Sequence, residues 1–355
     1  MLVAMTLVLT WMFFLYGGCL DTVAKRLILV VNVVSVGFTL VLRSGVGCVF
    51  AYANILLSCL LFNNIALPSK INKTMRLLLV ALMTLYLLCG RVEKKYETWF
   101  FYDVNGEYIN ANTIGIIILS VALNFICYVS ATDIRCDAKV FVSVLTFAAA
   151  FFSINIFECR SALIALILFA VLACFVKNPF TFKTYRGLTV AILTVSLVFP
   201  VFYVFSYEYL ADITIMGKPL FTGRQLVWES AFELISQAPI LGSGTEMSFE
   251  GVAGGTESGH NMLLSLWKTT GIVPVITLFF VMVNHTKEMK NASRNRLIQF
   301  AFLATLVVCF FESFYTDARL QMLFLPFLLS HMPSQEVGEE KRHDSKKNSL
   351  LLVRR

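Results

Sequence analysis

The chain is expected to be all-α, a polytopic transmembrane helical bundle of about 11–12 spans with one large outer loop carrying an amphipathic helix. Three observations predict this class. Of 355 residues, 58% are apolar and only 14% charged, against roughly 45–50% and 25% in a soluble domain. Mean hydropathy is +0.76. The apolar residues also fall in long unbroken runs, each near the ~20 residues of a transmembrane helix, rather than in the alternating ten-residue segments of a β-barrel. A soluble enzyme, a disordered chain and a secreted disulfide scaffold are thereby excluded.

The runs lie at about 2–20, 27–42, 46–67, 75–90, 113–130, 140–157, 161–176, 188–206, 262–284, 298–311 and 320–331. Residues 1–20 have no basic leader and no small-residue cleavage site, so they read as a retained span. Residues 1–206 hold about eight spans, interrupted by an outer loop at about 91–112. Residues 207–261 form a large outer loop, 262–331 the C-terminal spans, and 332–355 a basic cytoplasmic tail. No internal repeat marks the chain as a transporter of the repeated kind.

Charge sorts by face. With the tail placed in the cytoplasm, 20 of the 29 basic residues fall on the inner side and 14 of the 22 acidic residues on the outer side. That is the positive-inside pattern, so the net charge of +7 marks topology and no nucleic-acid partner. This orientation leaves the N-terminus outside. The nine cysteines lie mostly inside apolar runs without a Cys-x-x-Cys pair, and read as small buried hydrophobes.

The loop at 207–261 is the longest polar stretch, with eight glycines from Gly217 to Gly259. Loops of that length are usually functional. Within it, residues 224–238 read as an amphipathic helix, with Val227, Trp228, Ala231, Phe232 and Ile235 on one face. Such a helix can lie in the outer membrane–water interface or pack on top of the bundle.

Four residues on the outer face have the chemistry of a site. Arg160, with Glu158, stands between two apolar runs almost without a loop. A charge there is costly and points to function, here holding a phosphate; a local ion pair or a snorkelling side chain is the plainer reading. Arg224 opens the amphipathic helix, where a guanidinium beside unpaired backbone N–H groups forms an anion site. His260 closes the glycine-rich loop at the water–lipid boundary and can serve as a general base or as a simple boundary histidine. Arg319, beside Asp317 in the last outer turn, is a third candidate cation or a topology residue. No His, Cys or carboxylate set has metal-ligand spacing, and no Walker or dinucleotide motif occurs.

Three stretches in order carry a resemblance. Arg224, Trp228, Pro239-Ile240-Leu241-Gly242 and Gly244 resemble the "GR…W…PILG.G" segment of the O-antigen ligase/polymerase superfamily of bacterial surface polysaccharides. His260-Asn261, followed after nine residues by Gly271, is similar to its His-Asn…Gly-x-x-Gly pattern, with Pro274 in place of the last glycine. Cys159-Arg160-Ser161-Ala162-Leu163 resembles its "SRSALL" helix start, and Asn110 to Gly115 a fainter Asn-rich start of an earlier span. The resemblance implies a GT-C-like, metal-independent, inverting glycosyltransferase without cofactor, working at the outer face of the bacterial inner membrane. Its donor would be an undecaprenyl-pyrophosphate-linked oligosaccharide. Arg160, Arg224 and Arg319 would bind the pyrophosphate, and His260 would deprotonate the acceptor hydroxyl. A flippase and a chain-length regulator of the same pathway would be its partners, with membrane lipid around it. The "FTGR…W…PILG.G" wording is closer to polymerases, making O-antigen or capsular polysaccharide. A ligase acting on lipid A–core needs the same residues. A flippase or exporter of lipid-linked sugars is the alternative of another class.

Overall fold

In the computed structural model the described residues are 69–95, 98–210, 214–215, 218–219, 224–244, 260–292 and 296–312. The apolar runs before residue 68, the run at 320–331, Arg319 and the basic tail lie outside them.

The described chain is mainly helical. The helices are α1 (Ser69–Cys89), α2 (Ala111–Ser130), α3 (Cys136–Ile156), α4 (Arg160–Phe175), α5 (Phe182–Phe205), the single turn α6 (Tyr207–Leu210), α7 (Arg224–Gln237), α8 (Met262–Thr270), α9 (Ile272–Ala292) and α10 (Arg296–Phe311). Helices α2, α3 and α5 are long and apolar enough to cross a membrane, while α4 and α10 are shorter apolar helices. Local chemistry sets several starts: Asn110 Oδ1 accepts from Asn112 N at 2.8 Å and Thr181 Oγ1 from Thr184 N at 3.3 Å. Each supplies an acceptor to one of the four N–H groups a helix start leaves unpaired.

Helix α10 is the centre of the core. It packs on α2, α4, α5 and α8, and Gln299 to Leu306 are all buried. Its polar side chains are satisfied, as burial requires. Gln299 Oε1 accepts from Phe180 N at 2.7 Å, and Thr305 Oγ1 donates to Ala301 O at 2.8 Å. Helix α3 is the opposite case. It buries only Ala150 and Ile154 and exposes Val140, Phe141, Val144, Leu145 and Phe152, an apolar surface suited to lipid rather than water.

Short links alternate the direction of α2, α3, α4 and α5, which gives the bundle two unlike ends. One carries the basic loops with Arg135, Lys139, Lys177, Lys183 and Arg186. There Arg296 Nη1 donates to the Val176 carbonyl, tying the start of α10 to the end of α4. The starts of α2, α4, α7 and α8 gather at the other end with the end of α10, as the contacts below establish.

The structure departs from the expected pattern of helical spans and strandless loops in two ways. The loop expected at 91–112 contains a three-stranded antiparallel sheet, β1 (Arg91–Lys95), β2 (Thr98–Tyr102) and β3 (Tyr108–Ile109). Its pairing puts Phe101 and Ile109 on one face, and both are buried against the bundle, so burial fixes the register. Within the large loop a two-stranded ribbon pairs β4 (Thr214–Ile215) with β5 (Lys218–Pro219).

The second departure is that the apolar run at 262–284 is two helices, not one. Gly271 breaks it at φ +83°, a conformation glycine adopts at no steric cost. The segment Pro239–Gly244 passes across this break. Ser243 N donates to Lys268 O at 2.7 Å, Gly244 N to Thr269 O at 3.2 Å and Ile272 N to Pro239 O at 3.1 Å. Trp267 Nε1 adds a bond to Pro239 O at 3.0 Å. A Cβ on Gly242 would lie 2.5 Å from Thr269 O, and one on Gly271 would overlap the Ile240 carbonyl. The glycines of the "PILG.G" and His-Asn…Gly segments therefore exist for each other. They let two backbones touch, so α7 and α8 run side by side from a common start.

Candidate functional site at a convergence of helix ends

The starts of α7 and α8 and the end of α10 meet at one carboxylate. Glu312 follows directly on α10, and its side chain is about 10% exposed. Arg224 Nη2 donates to Glu312 Oε1 at 3.0 Å. His260 Nδ1 lies 3.3 Å from Glu312 Oε2, and Asn112 Nδ2, at the start of α2, donates to Oε1 at 2.9 Å. Both oxygens of one carboxylate thus bind residues 52, 88 and 200 positions away.

Arg224 ties the same elements through their backbone. Its Nη1 donates to His260 O at 3.0 Å and to the Phe311 carbonyl, and its guanidinium stands over the Phe311 ring, 5.7 Å from the centroid. The planar fork of arginine permits this, whereas an ammonium would offer one point charge.

His260 is held from below by its neighbour. Asn261 is fully buried. Its Nδ2 donates to Ser196 O at 2.8 Å, Ser196 Oγ at 3.2 Å and Phe310 O at 3.1 Å, while its Oδ1 caps α8 by accepting from Leu264 N at 2.9 Å. One asparagine thus fixes the start of α8 to α5 and α10. His260 is left at φ +44°, a left-handed conformation that costs of order 1–3 kcal/mol in a non-glycine residue and clusters at functional sites.

Arg160 begins α4 beside this group, close enough to Arg224 and Glu158 for their charges to act on it. Helix α4 reaches the site through close contact with α2. A Cβ at Gly115 would be crowded by the Cys159 side chain, and Cys159 Sγ donates to Asn112 O at 3.5 Å. Burial pushes the Cys159 thiol up to about 11, so it stays protonated and is not a nucleophile.

The amphipathic segment packs on the bundle, which decides between its two expected placements. Trp228 is completely buried, edge-on to Tyr203 with centroids 5.4 Å apart, and Phe199 and Phe310 complete the cluster.

Electrostatically the centre is a buried carboxylate surrounded by cationic and N–H groups. Burial pushes the Glu312 carboxyl up, but the hydrogen bond from His260 and the charge of Arg224 outweigh it, and the net shift is below the ordinary carboxylate value. Glu312 is therefore ionised. An Nδ1–H of His260 donated to it places the basic lone pair on Nε2, the arrangement of base and orienting carboxylate seen in hydrolytic triads. No group of three His, Cys, Asp or Glu that could hold a metal occurs among the described residues.

Of the residues expected from sequence, Arg160, Arg224 and His260 come together here, and Arg319 lies outside the described residues. Glu312 and Asn112 were not expected. Glu312 bears the same mark that singled out Arg160, a charge abutting an apolar run. Asn112 lies inside the faint Asn110–Gly115 match, which the structure explains as a cap, a carboxylate ligand and a small residue for close packing.

Residues 143–280 match the family model described as O-antigen ligase. No curated protein and no solved structure matches the chain. The matched stretch contains Arg160, Arg224 and His260 and ends before Glu312. Over those residues the chain is similar to the O-antigen ligase/polymerase superfamily, the likeness that its three motifs imply.

Proposed function

We propose that the chain is an integral-membrane glycosyltransferase that polymerises undecaprenyl-pyrophosphate-linked oligosaccharide repeats at the outer face of the bacterial inner membrane. The observation that carries this reading is the convergence of His260, Arg224 and Glu312, with Arg160 on the adjoining helix start. His260 Nε2 takes the proton of an acceptor hydroxyl as its oxygen attacks the anomeric carbon of the donor. The bond from that carbon to the pyrophosphate oxygen breaks on the opposite side, so configuration inverts and the lipid pyrophosphate leaves with the electron pair. The proton resides on His260, whose imidazolium is stabilised by Glu312. Arg160 holds the leaving pyrophosphate. Arg224 assists with the part of its fork not directed at His260, Phe311 and Glu312. Charge-assisted hydrogen bonds from two arginines stabilise such a leaving group without a metal. A bundle whose lipid-facing helices rise to a polar end suits a substrate with a lipid tail and a sugar head.

The family description favours a second reading, transfer of the glycan to lipid A–core, because the same base and clamp serve either acceptor. Purified chain with lipid-linked repeats as both donor and acceptor is expected to lengthen the glycan on its lipid carrier. In cells, His260→Ala should lower transfer by about 10²–10⁴-fold, the usual contribution of a general base, with single repeats still reaching the outer face. Transfer to lipid A–core without chain growth would replace the polymerase reading by the ligase one. Full activity of His260→Ala would remove both.

A further inference from the structure

The sheet before α2 has an aromatic face that the proposed chemistry does not use. Register places Arg91, Glu93, Lys95, Phe100, Tyr102 and Tyr108 on the side away from the bundle, because Phe101 on the other side is buried against Gly90 and Tyr86. The three rings form one cluster: Tyr108 lies 5.7 Å from Phe100 and 6.1 Å from Tyr102 between centroids. Tyr108 is 53% exposed although it packs on two other rings. Charges rim the cluster. Lys95 Nζ binds Tyr102 Oη at 3.1 Å and Glu93 Oε2 at 2.9 Å, and Arg91 pairs with the other Glu93 oxygen.

From this face we propose a glycan-binding subsite, on which an oligosaccharide segment of the lipid-linked substrate stacks against Tyr108 and its neighbouring rings. The inference rests on the glycosyltransferase reading above. A pyranose ring presents a face of C–H bonds and an edge of hydroxyls. The C–H face is attracted to the electron-rich face of an aromatic ring, and the hydroxyls need donors and acceptors side by side, which Arg91, Glu93, Lys95 and the tyrosine hydroxyls supply. Glu93 is decisive against a lipid surface as the occupant. It pairs with both Arg91 and Lys95, so neither rim cation is left without a carboxylate partner, whereas a surface for anionic headgroups gains from uncompensated cations. Position agrees as well. Strand β3 leads through Asn110 to Asn112, a ligand of Glu312, so at most about 14 Å of extended chain separates Tyr108 from that ligand.

The test uses the full chain in lipid nanodiscs. The probe is oligosaccharide released by mild acid from the polysaccharide of cells carrying this chain. Direct titration without donor lipid is expected to show Tyr108→Leu, which keeps an apolar side chain on the strand, binding about tenfold more weakly than the parent, and Tyr108→Phe binding within about twofold. Hydroxyl-radical footprinting of the unaltered chain should find Tyr108 reactive in the bilayer and protected once oligosaccharide is added. Equal binding by Tyr108→Leu overturns the proposal. So does a Tyr108 already protected in nanodiscs without sugar, which would make the face a membrane contact. Titration of the His260→Ala chain separates this outcome from the catalytic reading: binding retained there and lost in Tyr108→Leu supports the subsite whether or not His260 proves essential to transfer.

Discussion

Each end of the bundle is tied by an arginine that reaches a helix-terminal carbonyl, but the two ties differ in kind. At the basic end Arg296 donates to Val176 O, and Gln299 holds the Phe180 backbone. The partners there are neutral and local to one helix junction. At the other end Arg224 binds two carbonyls and a carboxylate that also holds a histidine and an asparagine. The first arrangement fastens two helices. The second brings His260 together with residues of three other chain segments, and its geometry is lost if any one of them moves. Among the described residues, only the second end contains strained backbone at a histidine together with an ionised buried carboxylate, a combination that a purely structural staple does not require.

Substitutions that treat the two ends differently should separate these roles. The largest effect beyond loss of His260 is expected from Glu312→Gln, which keeps the shape and removes the charge. Transfer should fall by up to the ~10⁴-fold that neutralising the orienting carboxylate costs a hydrolytic triad. Transfer per folded molecule unchanged by Glu312→Gln would make Glu312 only a brace. Stability carries its own pH dependence. The Glu312 carboxyl is lowered in the folded chain, so its contribution is present above the ordinary carboxyl range and disappears as pH falls through its own lowered value.

Gly271→Ala comes next. It adds a Cβ against the Ile240 carbonyl at a positive φ, and the local strain alone is of order 1–3 kcal/mol. Thermal unfolding should shift downward, and activity should fall with it because the strap aligns the starts of α7 and α8. An unchanged unfolding temperature would show that the strap does not set that alignment. The smallest effect is expected at the basic end. Arg296→Ala removes one charge-assisted bond, worth about 1.5–3 kcal/mol, and should lower stability while leaving transfer per folded molecule unchanged. A loss of transfer at constant folded fraction would erase the distinction between the two ends.

The parts of the site legible in sequence were those with a local mark. Arg160 and Arg224 stand at helix starts after apolar or glycine-rich stretches, and His260 is the one histidine in the outer glycine-rich loop. Glu312 carried a comparable mark at the end of the run 298–311, but its importance comes from partners 52 to 200 residues away, which no local pattern reveals. The break at Gly271 is hidden because the apolar stretches on either side of Lys268-Thr269-Thr270-Gly271 read together as one span. What divides it is a backbone segment some thirty residues earlier that passes too close for a Cβ. The sheet at 91–109 was read as loop because its strands are short and mixed in charge, and their alternation becomes meaningful only when Phe101 has a bundle to be buried in.

The sequence by itself determined that this chain folds as helices in a membrane, and which few charges stand apart from the topology pattern. Apolar run length and the cost of burying a charge act locally, residue by residue. Tertiary structure alone decided that Glu312 is the hub, that α7 packs instead of lying on the membrane surface, and that His260 is oriented by a carboxylate. Those outcomes depend on which helix ends meet, and close packing of α10 among its neighbours brings residues from across the chain to within a hydrogen bond of one another.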